Sequence, residues 1–189
     1  MKLMKTIILK AAITVISRDG IHNFSPKSVA EEAGCSEALI YHHFGTKRGL
    51  IDACYIHLSR ELSEAMSSAD PGEGKRLVPI WRALFGFLGD DKDPARFILM
   101  YIQEIVVGLP EEFRCLKDAI AEGYEGRMDA GDLEAFSVQA ARSLVLVACV
   151  YSIEGAAYGR RFPEQYRALL ELIAEGFSAD GPSQDSKTE

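Results

Sequence analysis

The sequence predicts an all-α protein with a small N-terminal domain followed by a larger helical domain. Apolar residues recur three and four positions apart along most of the chain, and no segment alternates as a strand does. Clusters of Gly, Pro and Asp divide this pattern into segments of helical length. We therefore expect about nine helices, arranged as a head over residues 1–46, a body over 47–178 and a disordered tail over 179–189.

The first helix is predicted from Lys5 to Asp19. One of its faces carries an apolar stripe, which consists of Ile8, Ala11, Ala12, Val15 and Ile16. A stripe of this kind gives the head a core against which two further helices can pack.

Two short helices joined by a tight turn follow. Ser25 is a good N-cap, and Pro26 occupies the first helical position, where its missing N–H costs nothing. Gly34 can adopt the left-handed conformation that ends the first helix, and Ser36 caps the second two residues later. This is the plan of a DNA-reading helix-turn-helix.

The buried and free faces of this motif follow from helical spacing. Its buried face consists of Val29, Ala30, Ala33, Ile40 and Phe44. The residues left to face a partner are Lys27, Glu37, Ala38, Leu39, Tyr41, His42 and His43. The alternative is a helical hairpin whose polar face is only solvated; the preceding apolar helix favours the DNA-reading interpretation.

The body is predicted to contain six helices. They run from Lys47 to about Ser68 with Thr46 as cap, Lys75 to Leu88, Ala95 to Val107, Glu111 to about Met128, Leu133 to Gly159, and Glu164 to Phe177. Two of the expected breaks are residues 70–72 and 89–94, both containing proline.

The last two predicted helices indicate a subunit interface. The longer one is apolar around most of its circumference, so it must be buried on more than one side. We expect one side to pack on the body and another on a second copy, forming a four-helix dimer interface. The residues predicted for this interface are Val145, Ala148, Ser152, Tyr166, Leu170 and Ile173. The alternative is a monomer in which the long helix is the core of the bundle.

The order of features in the head closely resembles the tetracycline-repressor (TetR/AcrR) family of bacterial transcriptional regulators. The matching features are Ile8 to Ala12, Gly20-Ile21, Ser25 to Gly34, Ser36 with Tyr41 to Phe44, and Lys47. The motif match covers about the first 50 residues, and the rest is similar in length and helix layout only. Two positions differ from many members of the family. Where many members carry a basic or polar residue early in the recognition helix, this chain has Glu37, Ala38 and Leu39, and Gly49 replaces an acidic residue in the fourth helix.

The resemblance implies a dimeric regulator that binds an inverted repeat in double-stranded DNA. It implies phosphate contacts from Ser25, Thr46 and Lys47, with Ser36 as the cap of the recognition helix. The side chains expected to face base edges are Lys27, Glu37, Ala38, Leu39 and His42, with Tyr41 and His43 on the sugar-phosphate backbone.

The resemblance also implies a pocket for a small-molecule effector within the body, and release of a repressor by that effector. The candidates are Trp81, Phe85, Phe97, Met100, Tyr101, Glu104, Tyr151, Glu154 and Tyr158. The alternative for each aromatic or methionine is an ordinary place in the core.

The distribution of charge fits a DNA-binding head. Residues 1–60 carry eight Lys or Arg against five Asp or Glu, a net charge of +3, whereas the remainder carries 13 against 23, a net charge of −10. A basic head on an acidic body suits a protein of which only the head meets phosphates.

Other classes of function find less support. The sequence contains no glycine-rich phosphate loop, no H-E-x-x-H or G-x-S-x-G motif and no C-x-x-C pair, and we expect no enzyme, cofactor or metal. Four separated cysteines and no apparent secretion signal favour the cytoplasm. An interaction protein whose helix-turn-helix does not bind DNA is the second hypothesis, and an all-helical enzyme is the third.

Overall fold

The computed structural model describes residues 2–70, 76–104 and 111–157, and within these ranges every regular element is helical. The helices are α1 (Lys2–Asp19), α2 (Pro26–Ala33), α3 (Glu37–Phe44), α4 (Lys47–Ala69), α5 (Leu77–Asp90), α6 (Lys92–Glu104), α7 (Arg114–Tyr124) and α8 (Ala130–Ala157). A single 3₁₀ turn, Glu111–Phe113, leads into α7. The all-α prediction is confirmed.

The head is built around α1. Ile8, Ala12, Val15 and Ile16 are fully buried on the face that contacts α2 and α4. Val29 and Ile40 bring α2 and α3 onto the same core. The apolar stripe predicted from the sequence is thus the stripe that joins the four helices.

The long helix α8 is the centre of the body. It packs against α5, α6 and α7, and Ala141, Val145 and Ala148 on its inner face are fully buried. Over Ala130–Glu154 its length and apolar composition would also suit a membrane span, but the core helix of a soluble protein has the same properties. Here α8 packs against three helices of the body, α5, α6 and α7.

An ionic cluster fastens the end of the body opposite the head. Arg76, just before α5, donates from Nε to Asp70 Oδ1 at 2.8 Å, and its other nitrogens bind the second Asp70 oxygen and Glu122 of α7. The hydrogen bond with Asp70 raises the pKa of Arg76, so the guanidinium stays charged. The cluster ties the end of α4 to α5 and α7.

The break predicted over residues 89–94 is wrong in extent. Only Asp91 separates α5 from α6, and Pro94 is the third residue of α6. A proline fits there because the first turn of a helix has N–H groups without intrahelical acceptors. The Asp91 carboxylate accepts the Asp93 N–H at 3.0 Å and covers another of these groups.

Two other predicted boundaries also move. The long helix starts at Ala130, three residues before the predicted Leu133, and includes Gly131. The helix expected from Glu111 to Met128 is a 3₁₀ turn followed by the shorter α7. The last predicted helix, Glu164 to Phe177, and the tail over 179–189 lie outside the described residues.

Candidate nucleic-acid interface

Caps at both ends of α2 fix the first half of the helix-turn-helix. Ser25 Oγ accepts the Ser28 N–H at 3.0 Å, and Ser28 Oγ accepts the Ser25 N–H at 3.2 Å. Gly34 ends the helix with φ 64° and ψ 37°, and the Cys35 N–H returns to the Ala30 carbonyl at 2.9 Å. A residue with a Cβ loses about 1–2 kcal/mol in this conformation, so the turn favours glycine.

Helix α3 presents a mostly polar surface on a buried anchor. Ser36 Oγ caps it by accepting the Leu39 N–H at 3.3 Å, and Ile40 lies in the core with 2% exposure. Tyr41, the next residue, is 45% exposed. The other exposed residues of the helix are Glu37, Ala38 and His42. Because Ile40 fixes the rotation of α3, these side chains share a defined outward direction.

Two of the predicted contact residues are less free than expected. Leu39 is half-buried and packs against the head's core, and His43 is also half-buried. The His43 ring lies between those of His42 and Phe44, with centroid distances of 5.3 Å and 6.0 Å. The C-terminal half of α3 is therefore a row of rings in contact.

The turn from α3 to α4 explains the glycine at position 49. Thr46 Oγ1 caps α4 by accepting the Gly49 N–H at 2.9 Å. A Cβ built on Gly49 would overlap the Phe44 carbonyl oxygen, because the turn brings that carbonyl over the first turn of α4. The departure from the usual acidic residue is a consequence of this close approach.

Lys47 is held by the loop between α1 and α2. Its Nζ donates to the His22 carbonyl at 2.7 Å and lies 4.4 Å from the centroid of the Phe24 ring. Phe24 is buried, so the ammonium group has a fixed seat beside the N-terminus of α4. An ammonium group has three donors, and this arrangement uses one of them. The predicted phosphate contact of Lys47 stays a prediction.

The head is joined to the body along α6. Ser17 of α1 donates to Asp93 at 3.0 Å, and His22 pairs with Glu104 at the other end of α6. Between them, Tyr101 donates to Asp52 of α4 at 3.1 Å. Burial, followed by the Asp52 charge, raises the pKa of Tyr101 to about 12, so its hydroxyl stays a donor at neutral pH.

The candidate ligand residues fall into two groups. The aromatic members lie inside the body: Phe97, Trp81 and Tyr101 are buried. Phe85, Met100 and Tyr151 are half-buried. The two carboxylates, Glu104 and Glu154, are exposed, and Glu104 pairs with His22 at the surface, so their part in a ligand site stays a prediction. Tyr158 lies outside the described residues.

The interface predicted on α8 also needs correction. Val145, Ala148 and Ser152 are enclosed within their own protomer, with exposures of 0%, 0% and 4%. They belong to the protomer's own core and cannot contact a second copy. Tyr166, Leu170 and Ile173 lie outside the described residues.

The outward face of α8 is a different set of residues. It consists of Gln139, Ser143, Val147, Val150 and Glu154, each one helical turn from the next. Val147 and Val150 are 37% and 41% exposed, which places two apolar side chains at its middle. Neither Val147 nor Val150 is among the interface residues predicted from the sequence. Their spacing of three positions, one helical turn, is the signal that could have found them.

The described side chains provide no other chemical centre. Among them, no three His, Cys, Asp or Glu residues lie close enough to hold a metal ion. The cysteines are free, and burial raises the pKa of Cys149 to about 12, which disfavours its reactive thiolate.

The fold and the head together define a class: a helical protein whose N-terminal helix-turn-helix is mounted on a larger helical body. Residues 8–54 match the family model for bacterial regulatory proteins of the tetR family. Over this N-terminal segment the chain is similar to the tetR family.

Similar proteins agree with this assignment over different parts of the chain. The HTH-type transcriptional regulator BetI of Vibrio vulnificus (strain YJ016) is 37% identical over 62 residues, which are 33% of this chain and 31% of that protein. The chain thus spans about a third of the length of this curated relative. The counterpart from Brucella anthropi is 40% identical over 62 residues, 33% of this chain and 32% of that protein.

The whole fold has a counterpart among solved structures. A putative tetR family transcription regulator from Shewanella sp. PV-4 superposes with a TM-score of 0.73 over 90% of this chain and 95% of that one, at 18% identity. FadR from Bacillus subtilis, solved in complex with stearoyl-CoA, superposes with a TM-score of 0.68 over 92% and 97%, at 16% identity. At these identities the likeness establishes the fold.

Proposed function

We propose that the protein is a DNA-binding transcriptional regulator in which α3 reads base edges in the major groove. The observation that carries this proposal is the construction of α3: a buried Ile40 beneath a surface formed by Glu37, Ala38, Tyr41 and His42. An exposed helix fixed to a rigid core suits recognition, because its backbone is already ordered before it binds.

Phosphate contacts flank this helix. Ser25 and Thr46 cap α2 and α4, and the backbone N–H groups of both first turns suit phosphate oxygens. The Lys47 ammonium, held beside the Phe24 ring and bonded to the His22 carbonyl, keeps two of its three donors for a phosphate. These contacts are independent of sequence and set the register of α3.

Base readout falls to the side chains at the start and middle of α3. Glu37 can accept from the amino group of cytosine, and His42 can bond either a donor or an acceptor edge. Tyr41 and His43 lie toward the sugar-phosphate backbone. Leu39 contributes only the exposed part of its side chain, which suits a thymine methyl group.

The regulator acts as a homodimer on an inverted repeat. The outward face of α8 supports this arrangement, because Val147 and Val150 leave apolar surface on a helix that otherwise faces its own core. A two-fold axis through such a face relates the two α3 helices, as successive major grooves require.

A small molecule bound in the body controls DNA binding. The interior holds a stack of Tyr55 on Tyr101 with ring centroids 4.0 Å apart, and Trp81 tilted against Phe85 at 4.8 Å. Within the described parts of the chain, the buried Trp81 Nε1 has no acceptor. An apolar effector with one acceptor atom would satisfy this donor. The stearoyl-CoA complex of the structural neighbour FadR supports an effector with a long apolar part.

The regulator represses transcription, the effector relieves this repression, and the protein works in the cytoplasm.

The competing hypothesis is a helical interaction protein whose helix-turn-helix serves only packing. The two hypotheses predict different behaviour with DNA. A DNA-binding regulator has an affinity that falls as salt concentration rises, because its phosphate contacts release counterions from the DNA.

The test is fluorescence anisotropy of a labelled mixed-sequence duplex, titrated with the purified protein at several KCl concentrations. We expect the logarithm of the association constant to fall linearly with the logarithm of the salt concentration. A well-folded dimer without measurable affinity for DNA at low salt would contradict the proposal and favour the interaction protein.

A further inference from the structure

Lys5, on the first turn of α1, lies beside the C-terminal end of α3. Its Nζ is 5.6 Å from the centroid of the Phe44 ring, and Phe44 is the last residue of α3. The Phe44 ring in turn contacts His43, and His43 contacts His42. The ammonium group therefore sits at the end of the row of rings on the recognition helix.

The arginines of the head and of the first turn of α4 are already engaged. Arg18 pairs with Asp19, and Arg48 pairs with Asp52 at 2.9 Å. Lys5, Lys10 and Lys27 are exposed and form no ion pair with any described residue. Cations without a carboxylate partner can bind a phosphate without first breaking a protein contact.

Only one side of Lys5 suits an anion. On the other side a groove of about 490 Å³ separates α1 from α4, and its lining includes the carboxylates of Glu61 and Glu64, which would repel an anion without forming an ion pair with Lys5. His57 in the same groove pairs with Glu61 at 3.6 Å. On the α3 side the ammonium faces the Phe44 ring, which carries no negative charge.

We propose that Lys5 extends the DNA-binding surface beyond the end of α3 and contacts a backbone phosphate there. This inference rests on the proposed function. Contact with the Phe44 ring restricts the long side chain, which lowers the entropy lost when the ammonium binds. Lys5 on α1 then adds a phosphate contact to those proposed for Ser25, Thr46 and Lys47. The contact adds affinity and leaves sequence preference unchanged.

The chain offers a matched control for the test. Lys10 is also exposed, also on α1 and also without an ion pair among the described residues. Five residues further along a helix its side chain points about 140° away from that of Lys5. Lys5→Gln and Lys10→Gln therefore remove the same charge from the same helix on different faces. The variant Lys5→Arg keeps a positive charge at position 5 and serves as the charge-conserving control.

The experiment measures the salt dependence of binding to a mixed-sequence duplex about three helical turns long. For Lys5→Gln we expect a several-fold weaker affinity and a salt slope smaller by about one unit for each subunit in contact with DNA. Lys5→Arg should restore the slope, and Lys10→Gln should leave it at the wild-type value. Circular dichroism melting of each variant checks that the fold is unchanged.

Two results would overturn the inference while leaving the proposed function in place. One is a wild-type slope for Lys5→Gln, and the other is an equal loss for Lys5→Gln and Lys10→Gln, which would mean a general effect of net charge. A wild-type protein that binds no duplex would overturn the proposed function, and this inference with it.

Discussion

At the scale of single residues, neighbouring positions of α3 have opposite environments. Ile40 is buried in the head's core and Tyr41 is 45% exposed, although they adjoin in sequence. Side chains one position apart on a helix point about 100° apart, so one anchors the helix while the other faces outward. Changes at the two positions should therefore affect different properties.

Tyr41→Ala should weaken DNA binding and leave folding intact. The substitution removes an exposed ring, and surface substitutions of this kind change stability by about 0.5 kcal/mol or less. The control Ile40→Ala removes a buried side chain and should cost about 2–5 kcal/mol of unfolding free energy. Urea unfolding and duplex titration of both variants separate the two effects. If Tyr41→Ala unfolded at the same urea concentration as Ile40→Ala, the Tyr41 ring would be part of the core.

The residue scale also shows where sequence reasoning stops. Glu104 interrupts an apolar helix and was expected in a ligand pocket, whereas it pairs with His22 at the junction of head and body. His22 and Glu104 lie 82 positions apart in sequence, and no local sequence pattern predicts a contact over that separation. Charged residues of α6 could be recognised as unusual, but their partners required the tertiary structure.

At the scale of elements, the helix-turn-helix was predictable because its ends carry strong local signals. Ser25, Gly34, Ser36 and Thr46 each occupy the cap position expected of them. Caps depend on hydrogen bonds within three or four residues, so sequence alone contains the information. The boundary between α5 and α6 also carries a local cap, Asp91, but the proline at position 94 suggests a longer break, whereas it is part of the first turn of α6.

The turn between α2 and α3 provides a test with an internal control. Gly34→Ala should lower the free energy of unfolding by about 1–2 kcal/mol, because φ at this position is 64°. Gly86→Ala should raise it by roughly 0.5–1 kcal/mol, because Gly86 lies within α5 and a Cβ there meets no atom within 4 Å. Chemical denaturation of the two variants gives both values. Equal effects of the same sign would contradict the assigned turn conformation.

At the scale of the whole molecule, the apolar surface of α8 separates into inward and outward faces. The sequence shows that the helix is apolar around most of its circumference, but not whether a neighbouring helix or a second copy covers each side. The structure assigns Val145 and Ala148 to the protomer's core and leaves Val147 and Val150 outward. The proposed dimer therefore depends on the outward pair.

Val150→Glu should split the dimer without unfolding the protomer. The carboxylate would be solvated in the monomer and buried without a partner in the dimer. Ile56→Glu places the same charge on a 56% exposed residue of α4 and should leave the mass unchanged. Ala148→Glu, which buries the charge within the protomer, should unfold the protein. Light scattering with size-exclusion chromatography measures each mass. A dimeric Val150→Glu variant would exclude this face of α8 as the interface.

The central claim is that two copies of α3, related by a two-fold axis, read DNA sequence. The most direct measurement is selection of bound duplexes from a random-sequence pool by the wild-type protein, followed by sequencing. We expect enrichment of an inverted repeat whose half-sites lie about 34–36 Å apart, one helical turn of DNA. The variant Tyr41→Ala/His42→Ala should lose this enrichment while remaining folded. Enrichment of no sequence, or of a single unrepeated site, would contradict the claim.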